Sequence, residues 1–305
     1  MTFDGVGIDI QHDFPVDPDV VAPRMRAAER LGFDGIWIIG GIRAGIPAPM
    51  ETLAFAAGIT NRISLGLAVL VSPLFTPLHV ARSALTLDRL SQGRLILGLG
   101  LGHGGDSYRR HGIATPPHRG HHFEQGILAI ASLLRNETTD AEDPPLHDEP
   151  RPLEPSRPGS PPLWIGGHAE AALDRAARLG DGWLGAGAMP IDAFYPALET
   201  LRARLDAHGR DSSQFVLGKR VMVHVGERDS SVAERLGAWF GRGTGDPSRA
   251  ERVVVHGTPD DVIAGLSKMR EHGAHALVLT PLFDVDEQMA RLATEVCPHL
   301  PPAAL

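Results

Sequence analysis

The chain has one cysteine, Cys297, among its 305 residues, which excludes an intrachain disulfide framework and any zinc site built on cysteines. It has two lysines, Lys219 and Lys268, so that arginine supplies the rest of its 29 basic side chains. No apolar run approaches the roughly 18 to 20 uncharged residues that a membrane-spanning helix requires. Met1 to Asp9 carries no basic flank, so a secretory leader is not expected and a cytoplasmic location is. Positive charge is also short: 29 basic residues face 37 acidic ones, and the net charge of −8 repels a phosphate backbone, which argues against a nucleic-acid partner. Scarce lysine beside abundant arginine, alanine, glycine and proline points to a GC-rich bacterial source.

What remains is an ordinary globular composition, 43% hydrophobic and 22% charged. Short apolar runs alternate with amphipathic stretches, the pattern of parallel strands joined by crossover helices. Strands are expected at residues 6–10, 35–39, 63–70, 95–99, 163–165, 182–184, 215–225 and 276–280. Helices are expected between them, among them 20–31, 76–90, 122–134, 169–179, 194–208, 230–240, 259–272 and 286–296. Thr258-Pro259-Asp260-Asp261 combines a hydroxyl cap, a first-turn proline and acids at the positive end of a helix. Leu31-Gly32 and Leu179-Gly180 place glycine where a helix can close in a left-handed cap.

Eight alternations predict an α/β fold, a (β/α)8 TIM barrel forming a single domain over residues 1–305, with its functional face at the loops after the strand C-termini. Residues 136–162, with eight prolines, read as an insertion loop. An open doubly wound sheet is the competing architecture, but no Gly-x-Gly-x-x-Gly opens a helix after the first strand.

Two glycine clusters stand at expected strand ends. Gly98-Leu99-Gly100-Leu101-Gly102-His103 would let the backbone approach a flat ligand closely. Trp164-Ile165-Gly166-Gly167-His168 runs directly into a helix, where free N–H groups suit a phosphate, or where glycine serves a simple turn. The first strand delivers Gln11 and His12 to the same face. His118, His121 and His122 invite a metal reading, but no second cluster completes a site, so none is expected. Trp37, Trp164 and Trp183 read as packing.

Taken in order, Leu31-Gly32-Phe33-Asp34-Gly35-Ile36-Trp37, Asn61 to Gly66, Thr86 to Arg94, Gly98 to Gly102, Pro162 to Gly167 and Leu179 to Trp183 resemble the luciferase-like monooxygenase superfamily. The resemblance implies a barrel that binds FMN or the deazaflavin coenzyme F420. It puts the cofactor ring over Ala68-Val69, where the family often has a cis non-prolyl peptide, and its phosphate at Gly166, Gly167 and His168. Gly102 and His103 match positions facing the cofactor, and Arg119 and Glu124 a helix start packed over it. It further implies a homodimer and a separate flavin or F420 reductase as electron source. One departure is prominent: deazaflavin-dependent members carry an acid followed by histidine after the second strand, and this chain has Gly40-Gly41. The expected proton-transfer groups are then His103 first and His12 second. Arg43 and Gln11 are expected at the substrate, under loops 40–49 and 106–117. The lysine that sugar-phosphate dehydrogenases of the family use after the sixth strand is absent from Gly185 to Met189, which disfavours that substrate class.

The function expected from these residues is hydride transfer between reduced F420 and a small organic substrate. An FMN-dependent two-component monooxygenase and a non-catalytic flavin-binding barrel are the alternatives.

Overall fold

A computed structural model describes residues 3–10, 17–41, 47–102, 108–109, 112–114, 117–135, 154–227, 230–244 and 246–304. Its strands are β1 (Gly5–Asp9), β2 (Gly35–Ile38), β3 (Ser64–Leu67), β4 (Leu70–Val71), β5 (Leu95–Gly100), β6 (Leu163–Gly166), β7 (Gly182–Gly185), β8 (Val216–Val225), β9 (Val254–Gly257) and β10 (Ala276–Pro281). All pairings are parallel. β3 and β4 are two pieces of one barrel strand, and β10 pairs with both β8 and β1, so that eight strands close on themselves. The chain is therefore a (β/α)8 TIM barrel, with all eight expected strands in place.

The helices α1 (Pro18–Arg30), α2 (Pro49–Ile59), α3 (Pro77–Leu90), α4 (Arg119–Leu134), α5 (Glu170–Leu179), α6 (Ile191–Ala207), α7 (Ser230–Thr244), α8 (Arg249–Val253), α9 (Pro259–Glu271) and α10 (Val285–Arg291) surround it. At α9 the expected cap is present: Thr258 and Asp261 form a reciprocal capping box behind Pro259. Gly32 closes α1 at φ +88 as expected. Gly180 does not: its φ of −96 is ordinary extended backbone, and glycine is needed there for space, since a Cβ would lie 2.9 Å from Gly182 O and 3.0 Å from Ala176 O.

Three elements escaped the sequence reading, one of them the five-residue helix α8. Helix α2 is built largely from alanine and other apolar residues on all sides, so it shows no polar stripe. Strand β9 has four residues and lies outside the barrel, paired with Met222 to Val225 at the end of β8.

The lumen is packed by size complementarity. Inward-facing Trp37 and Trp164 lie with ring centroids 5.2 Å apart, and Phe3 meets both edge-on at 5.7 and 6.0 Å. Both indoles are buried. They fit because the facing positions are glycine: a Cβ at Gly35 would stand 2.8 Å from Trp37 Nε1, and one at Gly182 2.8 Å from Trp164 Cδ1. Large and small residues thus alternate across the lumen, as close packing demands.

Above the mouth, the end of β8 joins β9, α7 and α8 around Met222, Leu236, Phe240 and Val253. His224 lies in this layer, 6% exposed, its ring 4.7 Å from that of Phe283 and its Nδ1 without a hydrogen-bond partner among the described residues. Burial first, and the nearby Arg235 charge second, pull its pKa down to about 4. The unfolded chain, titrating near 6.5, binds the proton first, so stability is full above that pH and falls as pH drops toward 4. Replacing His224 by glutamine should flatten this part of the acid slope, as measured by urea unfolding at pH 7.5 and 4.5.

Candidate active site

Four elements build one half of the barrel mouth. The Ala68–Val69 peptide joining β3 to β4 is cis, as the resemblance implied. Val69 projects toward three glycines of the neighbouring strands: a Cβ at Gly98 would lie 3.3 Å from its Cγ1, one at Gly166 3.0 Å, and one at Gly100 would overlap its Cγ2. The result is a wall of one branched side chain and bare backbone. Next to it, Gly102 adopts φ +68, and a Cβ there would meet Val71 Cγ1 at 2.6 Å and the Tyr108 hydroxyl at 2.8 Å. Arg119 donates to the carbonyls of Leu101 and Gly102 at 3.2 and 3.1 Å, and Tyr108 donates to Leu101 O at 2.9 Å. Arg119 therefore shapes the backbone leaving β5. Glu124, expected on the same face, instead bridges Arg175 at 3.4 Å and Arg178 at 2.9 Å, tying α4 to α5.

At the end of β6, Gly166 and Gly167 lead through exposed His168 into α5, whose N-cap Ala169 makes no side-chain capping bond. The first-turn acid Glu170 points away to Arg204, 3.8 Å distant. The turn is anchored from behind by Trp183, which donates from Nε1 to Gly167 O at 2.6 Å and stacks on Phe194. Trp183→Phe removes that donor and should cost about 1 kcal/mol of stability. It should also lower affinity for a phosphorylated ligand severalfold, as read by isothermal titration.

The opposite half of the mouth is polar, and the sequence reading missed it. Asp9 and Thr280 stand at or next to the ends of β1 and β10, and Arg220 reaches them from the middle of β8, which pairs with β10. Arg220 Nε lies 3.2 Å from Asp9 Oδ2 and 3.0 Å from Thr280 Oγ1, its Nη2 is 3.0 Å from Asp9 Oδ2, and Thr280 donates to the same oxygen at 3.1 Å. Asp9 and Thr280 are fully buried and Arg220 is 9% exposed. Charges buried this deeply hold only with such mutual satisfaction. The signal was a Lys219-Arg220 pair inside the largely apolar run of β8.

Gly40 accounts for the first position of the missing acid–histidine pair, while Gly41 at the second is exposed. The Gly40 N–H donates to Val69 O at 3.1 Å, and a Cβ would lie 2.9 Å from both Leu70 Cα and Val69 O. Backbone contact between β2 and the β3–β4 junction leaves no room for a side chain at that first position.

Of the expected site residues, Ala68, Val69, Gly102, Gly166, Gly167 and His168 lie on the C-terminal side of β3, β5 and β6. Gln11, His12, Arg43 and His103 lie outside the described residues, as do half of loops 40–49 and 106–117 and residues 136–153 of the proline-rich stretch. Its described end is fastened to buried Asp88, which accepts from Ser156 N at 2.7 Å and Ser160 Oγ at 2.5 Å.

The donor set fits a flavin-type cofactor. A planar ring needs an apolar wall without protruding side chains, and a phosphate needs a helix start that no side chain already caps. Both are present, at Val69 with its glycines and at Gly167 to Ala169. Among the described residues no helix is long and apolar enough to cross a membrane.

The sequence pattern of luciferase-like monooxygenases matches residues 11–294. A phthiodiolone/phenolphthiodiolone dimycocerosates ketoreductase of Mycobacterium bovis is 26% identical, covering 90% of this chain and 91% of its own. An F420-dependent glucose-6-phosphate dehydrogenase of Kineococcus radiotolerans is 24% identical with the same coverage. Among solved structures, an F420-dependent secondary alcohol dehydrogenase in complex with an F420-acetone adduct superposes with a TM-score of 0.82 at 16% identity, covering 98% of this chain and all of the other. The chain belongs to the luciferase-like monooxygenase family, enzymes that work with a flavin or deazaflavin.

Proposed function

We propose that this protein is an F420-dependent oxidoreductase acting on a carbonyl or alcohol carbon of a small organic substrate. The observation that carries the reading is the division of the mouth into the Val69–glycine wall and the Asp9–Arg220–Thr280 cluster. An apolar wall suits a ring, and a polar cluster across from it suits the oxygen of a substrate. The relatives whose names state F420 dependence favour the deazaflavin over FMN.

When bound, reduced F420 supplies a hydride. Val69 and the backbone of Gly98, Gly100 and Gly102 would support the ring, with Ala68 beneath it. Gly166, Gly167 and His168 would hold the phosphate at the start of α5. Arg220, oriented by Asp9 and Thr280, makes the opposite side of the pocket polar while Met222 and Leu282 keep it dry. His103, with His12 second, is assigned the proton, and Arg43 and Gln11 contacts to the substrate.

A homodimer belongs to the same reading. Exposed Phe55, Phe75, Leu78 and Leu90 lie on or beside α2 and α3, with acidic Glu51 and basic Arg82 lining the groove between these helices. Two copies related by a two-fold axis would bring Glu51 of each toward Arg82 of the other. Leu78→Glu should shift the protein toward monomer in size-exclusion chromatography with light scattering.

The FMN-dependent monooxygenase is the second reading, favoured by Gly40: chemistry driven by oxygen and a separate reductase asks less of a protein acid at that position. Anaerobic oxidation of reduced F420 by a ketone series would support the first reading. Oxygen uptake with reduced FMN would support the second, and turnover in neither assay would leave the non-catalytic flavin-binding barrel.

A further inference from the structure

Lys219 is 1% exposed, lies on β8 between the barrel and α6, and packs 5.9 Å from the centre of the Phe194 ring. Its Nζ donates to three carbonyls: Ala186 at 2.5 Å, Arg220 at 2.9 Å and Met189 at 3.4 Å. Two of these belong to the turn after β7, which is closed by Met189 N donating to Ala186 O at 3.1 Å. Among the described residues no carboxylate partners it. A buried cation without a counterion is costly, and an apolar side chain would fill the same space with a smaller desolvation penalty. An ammonium, however, has three N–H groups to match three carbonyls, which neither an apolar residue nor a neutral amine can do.

The turn that Lys219 holds borders the polar half of the mouth. Its Gly187 faces Arg220, and a Cβ there would lie 2.8 Å from Nη1. Arg249 donates to Ala188 O at 3.0 Å from the outer side. Three cations thus surround one short turn, and among the described residues only Arg220 of the three carries a carboxylate partner within the barrel, Asp9.

We propose that Lys219 is a positioning residue of the site: its protonated amine fixes the turn 186–189 and thereby sets how close Gly187 stands to Arg220. The functional consequence rests on the reading of the mouth given above. The position of the turn does not, and it is measured without cofactor so that the two ideas fail separately. Burial, with a smaller contribution from the Arg220 charge, draws the Lys219 pKa down to about 7. Above that pH the amine keeps two N–H groups and turns a lone pair toward one carbonyl oxygen. The turn should therefore be firm below pH 7 and looser above it.

The sequence makes the test direct, because Lys219 and Lys268 are the only lysines. Lysine labelled with 13C at Cε gives two side-chain signals, and amide exchange at residues 187–189, corrected for intrinsic rate, is followed over the same pH range. Exchange should rise about tenfold as the Lys219 signal titrates. In Lys219→Met it should be raised at low pH and lose its dependence on this titration, whereas Lys219→Arg should keep protection at high pH. A Lys219 signal that titrates while exchange stays flat would overturn the proposal. So would Lys219→Met with wild-type protection of the turn, or, where that variant does not fold, Lys219→Arg with the wild-type loss of protection at high pH.

Discussion

Arg220→Met should destabilise the barrel by about 3–5 kcal/mol, the usual cost of breaking a buried pair and stranding its partner. The stranded group is Asp9, fully buried, whose carboxylate keeps the Thr280 hydroxyl as a donor but loses the guanidinium. If turnover can be assayed, kcat/KM should fall by about a hundredfold or more, close to 2.7 kcal/mol of lost transition-state stabilisation. Arg220→Lys keeps the charge but cannot reach Asp9 and Thr280 with one planar fork, so it should recover only part of either loss. The distinguishing measurement is the double variant Asp9→Asn with Arg220→Met. Removing both charges should cost less than removing Arg220 alone in urea unfolding. A single Arg220→Met variant as stable as wild type would show that the pair does not hold the mouth together.

Trp37→Ala should be comparably damaging for a different reason. The indole fills the lumen beneath the mouth, stacked obliquely on Trp164 and walled by glycines that have no side chain to move into the space. Truncation of such a residue costs roughly 3–5 kcal/mol, transfer free energy plus the cavity left behind. Glycine walls relax poorly, which puts the expectation at the upper end of that range. Trp37→Phe should cost less, because it leaves a smaller cavity and also removes the Nε1 donor, which is buried without a hydrogen-bond partner among the described residues. Urea midpoints of the two variants check the order. Equal losses would mean that volume in the lumen does not govern its stability.

The barrel was legible because buried parallel strands are continuous apolar runs, and runs such as Leu95 to Leu99 and Ala276 to Thr280 are too short and too uniformly apolar for an amphipathic helix. The glycine turns at Gly98 to Gly102 and Gly166 to Gly167 were legible for a related reason: glycine concentrated at strand ends marks backbone that must approach something. The Asp9–Arg220–Thr280 cluster was not, since Arg220 stands 211 positions from Asp9 and 60 from Thr280, and the three meet only when β10 closes the sheet between β1 and β8. The pairing of Glu124 with Arg175 and Arg178 was not legible either, because a helix start fixes where a residue lies along the helix but not which neighbour its face meets. Gly40 looked like a lost catalytic group and is a packing requirement against Val69 and Leu70. In each of these cases the deciding fact is a tertiary contact with no trace in local periodicity.

Whether the Val69–glycine wall receives a deazaflavin ring is decided by fluorescence titration of the purified protein with F420 and, separately, with FMN, repeated on Gly100→Val. That substitution puts branched atoms into the space occupied by Val69 and so disrupts the wall assigned to the ring. The wild-type protein should bind F420 saturably and in preference to FMN, and a folded Gly100→Val variant should bind it at least about tenfold more weakly, a loss of roughly 1.4 kcal/mol. Preferential binding of FMN, binding of neither, or undiminished F420 affinity in that variant would contradict the assignment.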